Sequence, residues 1–213
     1  MNKIEKVYFD HNATTRVDDE VLDAMMPYFQ NKFGNPSSGH NLGIAGRQAI
    51  NQAREQVADS IEAQPSQVVF TSGGSESNNL FIQGATGYLK NPRIIISAIE
   101  HPCVLRPAKE LAQSTNKECG LRQVIVDRSG RIIMSDVDKA LSEYPPNIVS
   151  VMLANNETGV IQEVANIAEK SRKLDALIHT DAIQAFGKIP VSFPSLNVHA
   201  MTLSSHKIYG PKG

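Results

Sequence analysis

The feature that most restricts the fold of this sequence is a regular alternation between two hydrophobic periods. Short β-branched apolar runs recur at 67–70 ("QVVF"), 93–97 ("RIIIS"), 122–126 ("RQVIV"), 148–153 ("IVSVML"), 176–180 ("ALIHT") and 200–204 ("AMTLS"). Between them lie stretches with helical spacing, around 76–89, 103–115, 135–143 and 163–174, preceded by helical patterns at 19–29 and 42–62. In the second of these, Ala45, Ala49, Ala53, Val57 and Ile61 recur at a four-residue step, which drifts slowly around one helix face. Strand–helix–strand alternation with short connections predicts an α/β fold, with a mainly parallel sheet and helices on both faces. The near-continuous apolar strands agree, because strands covered on both sides need no polar face.

The chain has 213 residues, enough for one large domain with a substantial core. Its formal net charge of -1 gives no electrostatic reason to bind nucleic acid or an anionic membrane. Two cysteines, Cys103 and Cys119, are too few for a disulfide framework and favour a reducing, cytoplasmic setting. Cys103 reads as a packing cysteine and Cys119 as a loop or surface one. The histidines show no metal-ligand spacing, so no metal site is expected. The N-terminus "MNKIEKVYFDHNATT" lacks an apolar signal segment, and no apolar run approaches the roughly 20 residues of a membrane-spanning helix.

In a parallel α/β sheet, ligands bind beyond the carboxyl ends of the strands. The residues that follow each strand therefore decide whether one site forms. After "VVF", Gly73 and Gly74 allow a tight turn, and Ser75 takes the N-cap position of the next helix. A helix N-terminus with a hydroxyl suits a phosphate, although most capped helices bind nothing. After "RIIIS" comes His101, able to stack on a flat ligand or simply to sit at the surface. After "VSVML", Asn155 and Asn156 suit either a turn or a ligand oxygen. After "LIHT", Asp181 and Gln184 lie three apart, Asp181 being either a cap or the partner of a cationic ring nitrogen. After "MTLS", Ser204 and His206 flank Lys207. A lysine desolvated in a pocket loses its proton more readily and can form a Schiff base, whereas most lysines are merely exposed. Each feature alone is weak. Together, a phosphate cradle, a ring stacker, an aspartate and a lysine are the contacts that pyridoxal 5'-phosphate needs.

The ordered stretches "VYFDHNATTRVDDEV", "FGNPSSGH", "FTSGGSESNN", "EHPCVL", "NNETGV", "HTDAIQAFGKIPV" and "SSHKIYGPKG" resemble the NifS/IscS-type cysteine desulfurases. These belong to the class V group of the fold-type I pyridoxal phosphate enzymes. The resemblance implies that Lys207 is the Schiff-base lysine and that Asp181 pairs with the pyridine nitrogen. Gln184 would bond the ring's phenolic oxygen, and His101 would stack on the ring and move protons. Gly74, Ser75, Ser204 and His206 would hold the phosphate. Asn156 would lie near the phenolic oxygen and the substrate carboxylate, with Asn12, Ala13 and Thr14 close by. Gly74 and Ser75 stand where alanine and threonine are common in the family.

The implied reaction converts L-cysteine to L-alanine and passes sulfur through an enzyme cysteine to an acceptor or scaffold protein, for iron–sulfur cluster or thio-cofactor assembly. The family acts as a homodimer. The resemblance divides the chain into an N-terminal segment near the active site (1–15) and a cofactor-binding large domain (16–213) without the C-terminal small domain. The family's persulfide cysteine loop, substrate-carboxylate arginine and cross-subunit phosphate ligand have no counterpart in these residues. The expectation is a chain that grips the cofactor but does not turn over alone. The alternatives are a non-catalytic cofactor-binding fragment or another class V aminotransferase or lyase.

Overall fold

The computed structural model describes residues 7–114 and 119–212. Helices α1 (Asp19–Gln30) and α2 (Asn41–Ser60) come first. They are followed by α3 (Gly74–Gly87), β1 (Arg93–Ser97), α4 (Pro102–Gln113), β2 (Gly120–Val124), α5 (Met134–Glu143) and β3 (Ile148–Ser150). The chain then forms α6 (Val164–Arg172), β4 (Leu177–Asp181), the short α7 (Phe193–Leu196) and β5 (Ala200–Thr202). The five strands make one sheet in the order β2-β1-β3-β4-β5, and every neighbouring pair is parallel. The α/β architecture read from the alternating periods is therefore the observed one.

Two apolar layers flank the sheet, because successive side chains of a strand point to opposite faces. Ile94, Ile96 and Ile148 face one layer with Ile82 of α3 and Val104 and Ala108 of α4. Ile95, Val149 and Ile178 face the other with Val137 and Leu141 of α5 and Ile167 and Ala168 of α6. Cys119 belongs to the first layer and is buried, which corrects its reading as a surface residue. It stands one residue before β2, where the strand carries it under α4.

One further expectation is corrected and another is refined. The run 67–70 is not a strand: Pro65–Gln67 form a single 3-10 turn, and Val68 is extended but pairs with nothing in the sheet. Residues 68–71 instead line, together with 200–205, a mostly apolar cavity of about 790 Å³. A strand is defined by its ladder, so β-branched residues without a neighbouring strand in hydrogen-bonding reach stay irregular however high their propensity. The Val68 carbonyl accepts from the Arg54 guanidinium, which also lies over the Phe70 ring at 5.0 Å. In α2, the buried positions are Gly43, Gly46 and Ala58, while Ala45 is exposed. A Cβ at Gly43 would meet Ser38 O at 2.4 Å, and one at Gly46 would meet Gly34 O at 2.8 Å. The backbone of 34–38 packs directly on these glycines. Of the apolar step, Ile61 is buried and Ala49, Ala53 and Val57 are half-buried; the glycines add to the inward face positions that hydrophobic periodicity does not register.

Candidate active site

Four of the five strand ends converge. A cavity of about 750 Å³ opens beyond the carboxyl ends of β1, β3, β4 and β5. Its walls carry Gly74 and Ser75 from the start of α3, His101 and Cys103 from the start of α4, and Asn156 from the turn after β3. Asp181 closes β4, and Gln184 follows in the next turn. Ser204, His206 and Lys207 follow β5, and Asn12 and Ala13 come from the N-terminal segment.

The start of α3 differs in detail from the sequence reading. Gly73, not Ser75, is the N-cap, and the helix begins at Gly74. Ser75 therefore sits inside the first turn, where its backbone N–H has no intrahelical acceptor. The turn is braced by its own side chains. Thr71 Oγ1 lies 2.7 Å from Ser77 Oγ, and the Glu76 carboxylate accepts the Ser72 N–H at 2.5 Å. A Cβ at Gly74 would touch the terminal methyl of Ile183 at 2.3 Å, so the helix end and the turn after β4 are in close contact.

His101 is the N-cap of α4: its Nδ1 accepts the Cys103 N–H at 3.2 Å and lies 2.8 Å from Cys103 Sγ. Asn155 is not a ligand group. Its buried Oδ1 accepts the N–H groups of Glu157 and Thr158 at 3.0 and 2.9 Å, which fixes the turn that presents Asn156. Asp181 is buried, and its Oδ1 accepts the Ile183 N–H at 3.0 Å. Asn78, at 2.8 Å, donates to Oδ2. Burial pushes its carboxyl upward, and these two hydrogen bonds oppose that shift.

The N-terminal segment lies across the lysine. Lys207 Nζ donates to the carbonyls of Asn12 and Ala13, and Gln184 Nε2 donates to Asn12 O at 2.9 Å. Thr14 does not line the cavity; its Oγ1 is 3.2 Å from His206 Nδ1. Thr15 N–H donates to His206 O at 2.9 Å, and Thr15 Oγ1 accepts the Tyr209 N–H at 2.8 Å. Lys207 has its ammonium pKa lowered, first by burial and then by the nearby Lys188, against smaller opposite effects of Asp10 and Asp181.

Three residues at the site were not singled out from sequence. Lys188 Nζ donates to Gln184 Oε1 at 2.6 Å and Asn12 Oδ1 at 3.3 Å. Asn78 is a polar side chain in the buried row Gly74, Asn78, Ile82 and Thr86 of α3, and that break in an inward stripe was the available signal. Glu100 lies buried between β1 and β3; its Oε1 accepts from Ser97 Oγ at 2.5 Å and from Met152 N–H at 2.8 Å. Burial pushes the Glu100 carboxyl up to about 8.

A raised carboxyl pKa means that the folded chain keeps a proton which the unfolded chain has released. The Glu100 contribution to stability is therefore full below 4.5 and declines as pH rises from 4.5 to about 8. Glu100→Gln keeps an acceptor for Ser97 and Met152 and cannot ionise. Urea unfolding across that range should show the wild type losing on the order of 4–5 kcal/mol of stability relative to the variant, at about 1.4 kcal/mol per pKa unit. Parallel pH profiles would exclude a buried neutral carboxyl at position 100.

Comparison with known proteins places this geometry in a family. The family model described as aminotransferase class-V matches residues 7–213. A cysteine desulfurase of Sinorhizobium fredii is 44% identical over 209 residues, covering 97% of this chain and 53% of the relative. The cysteine desulfurase IscS of Dictyoglomus turgidum is 41% identical over 210 residues, covering 98% and 52%. Among solved structures, a NifS-like protein superposes with a TM-score of 0.92 at 39% identity, covering 98% of this chain and 57% of that one. A structure described as SspA in complex with cysteine gives a TM-score of 0.91 at 37% identity, covering 98% and 59%. The chain thus spans about half the length of the curated relatives it matches. By sequence and by fold, this chain belongs to the class V aminotransferase family, among relatives named cysteine desulfurases.

Proposed function

We propose that this chain is the cofactor-binding part of a pyridoxal 5'-phosphate-dependent cysteine desulfurase. The observation that carries the reading is the buried Asp181 carboxylate. It is 4% exposed, yet among the described residues it forms no salt bridge with a lysine or arginine. A buried carboxylate calls for a cationic partner, and a protonated pyridine nitrogen supplies one. The cavity of about 750 Å³ has room for a ligand of that size. Around it stand a helix N-terminus for the phosphate and a lysine whose pKa is already lowered.

When bound, the cofactor supplies an electron sink for the substrate's α-carbon. The remaining roles belong to the chain. Lys207 provides the amine, and Gln184 a donor for the phenolic oxygen; both must exchange their Asn12 carbonyl bonds to reach a ligand. Asp181 keeps the ring nitrogen protonated. His101 covers the ring and moves a proton. The α3 N-terminus with Gly74 and Ser75, together with Ser204 and His206, binds the phosphate. Asn156, with Asn12 and Ala13, lies toward the substrate, L-cysteine, whereas Thr14 supports His206 from outside the cavity.

Sulfur transfer requires a reactive thiolate, and neither cysteine here supplies one. Burial pushes Cys103 up to about 11, and Cys119 is buried in the core. Delivery of sulfur to a cytoplasmic acceptor protein, and the dimer that the family forms, extend the same proposal. The chain is expected to take up pyridoxal phosphate with a visible absorption band that L-cysteine perturbs more than L-alanine does. With a reductant present, it should release no sulfide. Failure to bind the cofactor, or indifference of the band to L-cysteine, overturns the reading; Cys103-dependent sulfide release would overturn the claim that this chain does not turn over.

A further inference from the structure

Two side chains without a role in the reaction above connect His101 to Asp181: Cys103 in the cavity wall and Asn78 beneath it. Asn78 is completely buried. Its Nδ2 donates to Asp181 Oδ2 at 2.8 Å and to Cys103 Sγ at 3.0 Å. An ionised carboxylate only accepts, so the amide must present its NH2 group to Asp181. Cys103 Sγ then accepts from Asn78, and its own hydrogen is directed to His101 Nδ1, 2.8 Å away. His101 Nδ1 also accepts the Cys103 N–H, so the imidazole carries its hydrogen on Nε2. The donors form one consistent set that starts at Asn78 and ends on Asp181 in one direction and on His101 in the other.

The amide is kept at a cost. Asn78 Oδ1 is buried without a partner, a condition that native interiors rarely tolerate. An apolar side chain would suit the row it shares with Ile82 and would remove this unpaired oxygen, but it would strip Asp181 Oδ2 and Cys103 Sγ of their donor. Packing therefore does not account for asparagine here, whereas its two N–H donors, each aimed at a different site residue, do.

We propose that Asn78 and Cys103 are positioning residues that tie the Asp181 carboxylate and the His101 ring into one hydrogen-bonded unit. Two groups meant for different parts of one flat cofactor thereby hold a fixed relative placement. The purpose rests on the pyridoxal phosphate reading of the site; the hydrogen bonds do not.

The test has two independent readouts. In the cofactor-free chain, Asn78→Leu should raise the titration midpoint of the Asp181 carboxyl followed by carbon NMR, because a bond that favours the charged form is lost. Should that variant fail to fold, Asn78→Ser, which shortens the side chain out of reach, serves for the same titration. With pyridoxal phosphate added, Cys103→Ala should weaken binding about tenfold, the effect of losing roughly 1.4 kcal/mol of hydrogen bonding. Cys103→Ser, which keeps a donor and an acceptor, should restore it. An unchanged Asp181 midpoint overturns the role of Asn78, and equal affinity of the alanine and serine variants overturns that of Cys103. If the unaltered chain binds no pyridoxal phosphate, the functional reading fails and the coupling loses its purpose, while the carboxyl titration still decides whether Asn78 holds Asp181.

Discussion

Replacing Lys207 by alanine is expected to abolish the visible absorption band that the chain acquires with pyridoxal phosphate, and to weaken cofactor binding by about a hundredfold or more, the ratio set by roughly 2.7 kcal/mol. The reason is chemical. Among the side chains that line the cavity, Lys207 brings the primary amine. Lys207→Arg should behave like the alanine variant, because a guanidinium keeps the charge but does not condense with the aldehyde. The pH dependence adds a second check. Burial and Lys188 lower the Lys207 pKa, which increases the fraction of neutral, nucleophilic amine at a given pH. Lys188→Met removes a neighbouring positive charge, so the onset of band formation should move to higher pH. An alanine variant with an undiminished band would remove Lys207 from the site.

The second large effect concerns stability, and it comes from a residue that the sequence reading passed over. His179 of β4 is fully buried. Its Nδ1 lies 2.8 Å from Ser150 Oγ of β3, and its Nε2 lies 2.9 Å from Thr202 Oγ1 of β5. The ring stacks on Phe81 of α3 with centroids 4.7 Å apart. His179→Ala opens a cavity and strips two hydroxyls of a partner, and should cost roughly 3–5 kcal/mol in urea unfolding. Burial also lowers the imidazole to about 3, so the unfolded chain binds this proton first as pH falls. The wild type therefore loses stability as pH drops from 6.5 toward about 3, and the alanine variant should lack that component. A loss below 1 kcal/mol, or an unchanged acid limb, would show that the three strands do not depend on this bridge.

Much of the fold was legible because its determinants are local. β1 stands at 93–97, where "RIIIS" predicts it, and β3, β4 and β5 fall within a residue of their predicted starts. The alternation of these runs with helical stretches was enough for a parallel α/β sheet. The strand ends then brought the candidate site residues together, since a parallel sheet delivers the residues after its strands to the same edge. The run 67–70 marks the limit of such reasoning: Val68, Val69 and Phe70 have strand propensity, but a strand needs a neighbour, and the sequence does not say which runs lie side by side.

The sequence by itself determined the class of fold, the family, and the set of residues that gather beyond the strands, because residue type, order and spacing carry that information. Only the tertiary structure decided how those residues are held. It showed that His101 caps α4, that Gly73 rather than Ser75 caps α3, and that Asn12 and Ala13 lie over Lys207. It also brought Asn78 within 2.8 Å of Asp181 and buried Glu100, which pushes its carboxyl up to about 8. Each of these depends on contacts between distant segments and on burial. A hydrogen bond or a shifted pKa is a property of an environment that the linear sequence does not contain.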